Sequence, residues 1–127
     1  MIEPNQLGAK EAARRIERGE LDAQALIQSC LERIAARDEA VRAWAFIERR
    51  QALEQARALD RMLRSGPPRS RLHGVPFGLK DIIDTADLPT EYNSPIYRGH
   101  RPKADAACAV LLRRAGCLVL GKTATTE

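Results

Sequence analysis

The sequence DAACAVLLRRAGCLVL, at residues 105–120, decides the fold class. Apolar residues recur in it at the i, i+3, i+4, i+7 spacing of a helix with one buried face, at Cys108, Leu111, Leu112 and Ala115. We expect this helix to begin at Asp105, because a carboxylate is favourable in the first helical turn, and to end at Gly116. Residues 117–120 are all apolar and predict a strand that is buried on both faces.

Strand patterns also precede this segment, at residues 75–79 and, more briefly, at residues 82–83. Residues 84–104 are dense in Pro, Gly, Asn and Asp and predict a long loop, and loops of that length are usually functional or disordered. The order strand, loop, helix, strand predicts an α/β fold with a partly parallel sheet, since such crossovers join parallel strands.

The two halves of the chain differ in composition. Residues 1–65 are rich in Ala, Leu, Glu and Arg, whereas residues 66–127 contain six of the seven prolines. We therefore predict an N-terminal helical segment, 1–65, followed by the start of a mixed, partly parallel sheet in residues 66–127. Because so few strands are predicted, we expect the chain to be an incomplete piece of a larger α/β domain.

The N-terminal segment is predicted to contain helices at residues 8–18, 22–37 and 51–64 and a strand at residues 44–47. Gly19 is expected to end the first helix, and Asp22 is expected to cap the second. Cys30 falls in the apolar stripe of the second helix, so we interpret it as a core residue rather than a nucleophile.

Composition and charge exclude several classes of protein. The 127 residues are 44% hydrophobic, as in globular proteins, and we expect neither a membrane-spanning segment nor a secretory signal. Three cysteines without a Cys-x-x-Cys spacing argue against a disulfide framework or a zinc site and favour the cytoplasm. Basic and acidic residues, 21 and 17 in number, are interleaved, so we predict no nucleic-acid partner, and nothing indicates a metal or another cofactor.

Lys80 is the candidate catalytic residue. It is one of only four lysines, beside 17 arginines, and it follows an apolar strand pattern in the sequence GVPFGLKD at residues 74–81. Between Leu79 and Ile82 it is expected to lie in an apolar environment, where desolvation lowers the pKa of an ammonium and makes lysine a general base. The alternative is a surface lysine that pairs with Asp81.

Residues 72–127 resemble the amidase signature family. The resemblance starts with the Gly-x-Pro-x-x-x-Lys-Asp pattern of residues 74–81 and continues in order and without a gap. Its further positions are Thr90, Ser94, Pro102, Asp105, Ala106, Val110, Leu112, Ala115, Gly116, Gly121, Lys122, Thr123 and Glu127. Residues 1–65 resemble the helical N-terminal region of such enzymes in pattern only.

The resemblance implies a mechanism and a substrate class. Members of the family hydrolyse carboxamides with a serine nucleophile, a second serine in a cis peptide, and a lysine that matches Lys80. The lysine would act as general base through the second serine, and backbone N–H groups of a glycine-rich loop would stabilise the oxyanion. A small-molecule amide is the implied substrate, and no cofactor is implied.

Both family serines lie several tens of residues beyond the lysine, in a Gly- and Ser-rich stretch. The serines of this sequence are Ser29, Ser65, Ser70 and Ser94, and none is in a Gly-Gly-Ser-Ser context. Ser94 matches a family position outside the triad. We therefore expect the 127-residue chain alone to be inactive.

Three other residues have expected supporting roles. Asp87 and Asn93 stand where the family often has Gly, and both residue types tolerate a left-handed backbone, so glycine at either position is expected to be nearly neutral. His73 is expected to support its loop through a hydrogen bond rather than ionise in catalysis.

Other functions are compatible with parts of the sequence. The chain could be a non-catalytic remnant or interaction module, with a homodimer or partner surface on the N-terminal helices. Residues 116–123 formally match the phosphate-loop string G-x-x-x-x-G-K-T, which would predict nucleotide affinity lost on Lys122→Ala. The apolar residues within that string favour a strand instead.

Within the family, the subunit of the tRNA-dependent amidotransferases is a further alternative. That branch usually carries Asn where this sequence has Ala124. Ala124 and Thr126 therefore favour a free-standing small-molecule amidase.

Overall fold

Residues 1–126 of the protein are described here from a computed structural model. Their regular elements, in chain order, are α1 (Ala9–Glu17), α2 (Ala23–Val41), β1 (Trp44–Ile47), α3 (Arg49–Ser65), β2 (Pro76–Lys80), α4 (Ala107–Arg114) and β3 (Leu118–Thr123). Short 3-10 helices occupy Pro4–Gln6 and Pro95–Tyr97. The predicted elements are thus found with shifted ends, except that residues 82–83 form a turn and not a strand. The reason is local, because the N–H groups of Ile82 and Ile83 both donate to the Lys80 carbonyl, at 2.7 and 2.9 Å.

The three strands form one mixed sheet in the order β1-β3-β2. β3 lies in the centre, parallel to β2 and antiparallel to β1. The connection from β2 through α4 to β3 is therefore the parallel crossover that the sequence predicts, and the expected α/β class is confirmed.

Apolar side chains pack on both faces of the sheet. On one face, which we call the helix face, Leu118 and Leu120 pack with the apolar residues of α1, α2 and α3. On the other, the loop face, Leu79 and Val119 pack with Ala109 of α4 and with Leu88 from the long loop. The two predicted segments of the chain therefore share one core at β3, and a boundary at residue 65 stays a prediction.

A bulge in β3 changes which side chains reach which face. The β2–β3 register pairs Phe77 with Val119 and then Gly78 with Gly121, so that Leu120 is an extra residue on β3. A bulge of this kind interrupts the strict alternation of side chains along a strand.

Two lysines are separated by this bulge. Residues paired across neighbouring strands point to the same face, and Lys122 pairs with Leu79, a residue of the loop-face cluster. Lys80 is the next residue along β2, pairs with Thr123, and so points to the opposite side of the sheet. Lys122 is thereby directed under the long loop, and Lys80 is not.

The N-terminus of α2 is capped by a residue from a different helix. Asp22 occupies the N-cap position, but its side chain makes no capping hydrogen bond, so the predicted role is wrong. The carboxylate of Asp60, near the end of α3, accepts instead from the N–H groups of Ala23 (2.7 Å) and Gln24 (3.0 Å). Asp60 is only 8% exposed, because α3 packs alongside α2 and covers this helix end.

Replacing Asp60 by alanine should lower the free energy of unfolding by about 2 kcal/mol, because a cap is lost and a buried helix end keeps unsatisfied N–H groups. Asp22→Ala, at the exposed N-cap position, is the matched control and should change it by less than about 0.5 kcal/mol. Urea unfolding followed by the fluorescence of the single tryptophan, Trp44, measures both. Equal losses in the two variants would contradict the capping role of Asp60.

The long loop is ordered by polar contacts. Asn93 has the left-handed backbone expected of it (φ 53°), whereas Asp87 is not among the residues with positive φ. The Asp87 carboxylate instead accepts from Arg113 Nη2 at 2.8 and 2.9 Å and from Gln51 Nε2 at 2.7 Å. The left-handed backbone expected at Asp87 is therefore wrong, and its side chain connects the loop to α3 and α4.

Glycine at these two positions should have different effects. Asn93→Gly should leave the free energy of unfolding almost unchanged, since glycine also adopts positive φ at no steric cost. Asp87→Gly should lower it by about 1–2 kcal/mol, because an ion pair with Arg113 and a hydrogen bond from Gln51 are lost. Thermal unfolding of both variants tests the difference, and a neutral Asp87→Gly would refute it.

Asp105 also holds the loop but does not begin a helix. α4 starts at Ala107, two residues later than predicted. The Asp105 carboxylate accepts from the N–H of Ala86 at 2.9 Å and lies 3.1 Å from Arg113 Nε. It therefore acts across the loop, because its side chain turns towards residue 86 and not towards the free N–H groups of the helix.

Candidate functional site

Lys80 is the last residue of β2, and its side chain is exposed. Within residues 1–126, no hydrogen bond or ion pair engages its ammonium. Residues 1–126 do not form the expected apolar environment, for two reasons: Leu79 points to the opposite face of the sheet, and Ile82 is itself 49% exposed. Successive residues of a strand face opposite ways, so an apolar neighbour in sequence does not bury the lysine.

The desolvated lysine of the structure is Lys122. Its side chain is fully buried. Its Nζ donates to Thr90 Oγ1 at 2.7 Å and to the Pro89 carbonyl at 3.2 Å, and it lies 3.3 Å from Asp81 Oδ1. Burial lowers the pKa of Lys122, and the nearby Asp81 carboxylate opposes that lowering.

Asp81, which directly follows Lys80, is only 2% exposed. Its N–H donates to the Thr123 carbonyl at 2.9 Å, and its carboxylate accepts weakly from the Glu91 N–H at 3.3 Å. The alternative in which Asp81 pairs with Lys80 at the surface is wrong, because the charged partner of Asp81 is Lys122. Asp81 therefore connects β2 to both β3 and the long loop.

The phosphate-loop match is not a nucleotide site. Six of its residues form β3, whose backbone groups are used by β1 on one side and β2 on the other. Lys122, the residue that would bind phosphate, is buried with three oxygen partners. The nucleotide-binding alternative is therefore wrong, and the preference for a strand at these residues is confirmed.

Each of the four serine hydroxyls makes a hydrogen bond within the described residues. Ser29 Oγ accepts from Asn5, Ser94 Oγ accepts from the N–H of Ile96, and the other two hydroxyls donate to backbone carbonyls. No hydrogen bond joins any of them to Lys80 in the described part of the chain. Ser94 lies at the start of a 3-10 helix, and its place outside a catalytic triad stays a prediction.

His73 is buried and has a partner for each ring nitrogen. Nδ1 accepts from the Arg69 N–H at 3.2 Å, which leaves Nε2 to donate to the Leu59 carbonyl at 2.9 Å. One ring therefore fixes the loop before β2 against α3. The expected supporting hydrogen bond is confirmed.

Lys122 is the residue whose importance the sequence reasoning missed. Two signals in the sequence pointed to it: lysine is rare in a chain that prefers arginine, and this one follows the apolar run of residues 117–120 and Gly121. The bulge that directs it inward is not visible in the sequence.

Residues 25–127 match the Amidase family model. The chain belongs to the amidase family. This membership confirms the resemblance seen in residues 72–127 and extends it into α2, beyond the part of the chain where the motifs lie.

Two known proteins match almost the whole chain. A glutamyl-tRNA(Gln) amidotransferase subunit of Salinispora arenicola is 39% identical over 127 residues, which are 100% of this chain and 26% of that protein. The crystal structure of a peptide amidase from Stenotrophomonas maltophilia is 40% identical, with a TM-score of 0.87, and the match covers 93% of this chain and 24% of that one.

The amidase fold is also shared with a more distant protein. A structure of fatty acid amide hydrolase matches with a TM-score of 0.91 over 98% of this chain, although the identity is only 21%. The chain spans about a quarter of the length of the relatives it matches. Among residues 1–126, no helix combines the length and the apolar character that crossing a bilayer requires.

Proposed function

We propose that this chain supplies the general base of an amide-hydrolysing enzyme and that Lys80 is that base. One observation carries the choice of residue: the ammonium of Lys80 is exposed and unengaged in residues 1–126, whereas the buried ammonium of Lys122 donates two hydrogen bonds and is ion-paired with Asp81. A base needs a free lone pair when it is deprotonated. Lys122 would have to give up its buried ion pair with Asp81 to provide one, and Lys80 makes no such pair in the described residues.

The proposed reaction is acyl transfer from an amide to a serine and then to water. Lys80, as the neutral amine, accepts a proton from a bridging serine, which accepts one from the nucleophilic serine as its oxygen attacks the amide carbonyl. The C–N bond then breaks, the amine or ammonia leaves with a proton returned along the same path, and water hydrolyses the ester. Neither serine is among residues 1–127, so the chain by itself is proposed to be inactive.

The substrate is proposed to be a small-molecule amide. A cytoplasmic location and a homodimer through the N-terminal helices remain predictions. The alternative of an inactive remnant or interaction module also remains open. A chimeric enzyme distinguishes it from the amidase, because only the amidase alternative predicts activity there.

A second candidate is a role as part of an amidotransferase, like the relative from Salinispora arenicola. It is supported by identity over the whole chain that almost equals the identity to the peptide amidase, 39% against 40%. Ala124 favours the free-standing amidase, because its methyl side chain cannot make the hydrogen bonds of the asparagine usual in the other branch. Only its backbone N–H is engaged, with the Ala43 carbonyl at 2.8 Å.

A chimera tests the proposal. The complete 127-residue chain is joined to the remainder of the Stenotrophomonas maltophilia peptide amidase, in place of the aligned first quarter of that enzyme. We expect the folded, monodisperse chimera to hydrolyse the parent enzyme's substrate, and the 127-residue chain alone to release no product. A folded but inactive chimera would support the remnant and overturn the proposed function. Lys80-dependent turnover by the chain alone would overturn the expected inactivity.

A further inference from the structure

The buried ammonium of Lys122 has three oxygen neighbours, two of which accept its hydrogen bonds. Lysine has three N–H donors, and the three neighbouring acceptors are the carboxylate of Asp81, the hydroxyl of Thr90 and the carbonyl of Pro89. Asp81 and Thr90 are themselves buried, at 2% and 0% exposure. This set therefore joins β3, the end of β2 and the long loop in a single charged contact, shielded from solvent.

The strand β3 holds the backbone on both sides of Lys80. Leu79, before it, is in register with Lys122. Asp81, after it, is held through its N–H by the Thr123 carbonyl and through its carboxylate by Lys122. The side chain of Lys80 is exposed and makes no such contact in the described residues, so its direction depends on the backbone of its two neighbours.

From this geometry we infer that Lys122 is a positioning residue, which aims Lys80 by holding Asp81 and which neutralises the Asp81 carboxylate beside it. The inference rests on the proposed role of Lys80 as general base. It assigns to the Gly-Lys-Thr sequence at residues 121–123 a part in the reaction that needs no contact with substrate.

The electrostatic part of this role follows from the charges around Lys122. Asp81 is its contact partner, and Asp84 and Asp87 act on it from farther away. Asp87 is already paired with Arg113, and Asp84 accepts from the hydroxyl of Tyr92 at 3.3 Å. Without Lys122, Asp81 would be the carboxylate left without its cation, one residue from Lys80, and would favour the protonated form of that lysine.

The experiment uses the chimera that contains the remainder of the peptide amidase and compares three variants of it. They are Lys122→Met, the double variant Lys122→Met/Asp81→Asn, and a control, Lys103→Met, at an exposed lysine of the long loop. We expect Lys122→Met to lower kcat per folded molecule by about 10- to 100-fold, the usual effect of slight misplacement of a reacting group, with KM little changed. The acid limb of its kcat–pH profile should move to higher pH. In the double variant the acid limb should return to its position in the unmodified chimera. Lys103→Met should have the same kcat and pH profile as the unmodified chimera.

A purely structural role would lower the folded fraction and leave kcat per folded molecule and the pH profile unchanged, and that result would overturn the inference. An active unmodified chimera with this result leaves the proposed function standing. An inactive unmodified chimera overturns the proposed function, and the inference with it. If Lys122→Met does not fold, amide hydrogen exchange in the double variant of the 127-residue chain tests the positioning role instead. The backbone N–H of residue 81 is expected to exchange faster in that variant than in the original chain, and unchanged protection would refute the positioning role.

Discussion

Replacing Lys80 by alanine in the chimera should lower kcat by about 10³-fold or more while KM changes little. The expected size is that of removing a general base from an acyl-transfer site, where binding and oxyanion stabilisation remain. KM should be insensitive because the ammonium is proposed to exchange protons and not to bind the amide. Steady-state rates of amine or ammonia release over a range of pH measure the effect.

Two companion variants distinguish a base from a positive charge. Lys80→Arg keeps the charge but cannot deprotonate at any ordinary pH, so it should be as inactive as Lys80→Ala. Lys10→Ala, at an exposed lysine of α1, should retain full activity. An active arginine variant would show that Lys80 contributes charge alone, and the proposed proton transfer would be wrong.

Gly121→Ala should lower the free energy of unfolding by about 3 kcal/mol, the upper part of the range for overfilled cores. A methyl group at residue 121 would lie against the backbone carbonyl of Phe46 and 2.6 Å from Ile47 Cδ1. The carbonyl belongs to β1, the strand paired with β3, and cannot rotate away as a side chain can. β1 and β3 must therefore move apart locally or lose their pairing at Gly121. Urea unfolding of the 127-residue chain measures the loss.

Gly66→Ala is the matched control for this prediction. Gly66 has an extended backbone (φ −177°), and a methyl group there would meet only the Met62 carbonyl, at 4.0 Å. Its free energy of unfolding should stay within about 0.5 kcal/mol of the original. If Gly121→Ala is as well tolerated as Gly66→Ala, the close approach of β1 and β3 at this residue is not as described.

Sequence patterns predicted the elements because their signals are local. The apolar spacing of residues 107–115 and the apolar run after Gly116 each depend on neighbours a few positions away, and α4 and β3 form there. The order of elements then predicted the parallel pairing of β2 with β3, because a short crossover has few alternatives. The motif at residues 74–81 predicted the family by the same kind of local pattern.

Environment was less accessible to sequence reasoning. Lys80 follows an apolar strand pattern and is exposed, whereas Lys122 follows the same kind of pattern and is buried. What separates them is the extra residue Leu120 in β3, a bulge that is seen only when the register of two strands is known. The prediction of the α2 cap failed for a similar reason, since the carboxylate at the N-terminus of α2 belongs to Asp60 and not to the adjacent Asp22.

The sequence by itself determined the helices, the strands, the parallel crossover, the family and Lys80 as the candidate base. Only the tertiary structure decided which lysine is buried and desolvated, which carboxylate caps α2 and which loop residues pair with Arg113. Propensity and periodicity act over a few residues along the chain, whereas burial and charge pairing depend on groups tens of residues apart that meet only when the chain folds. Asp81 and Lys122, 3.3 Å apart in space, are such a pair.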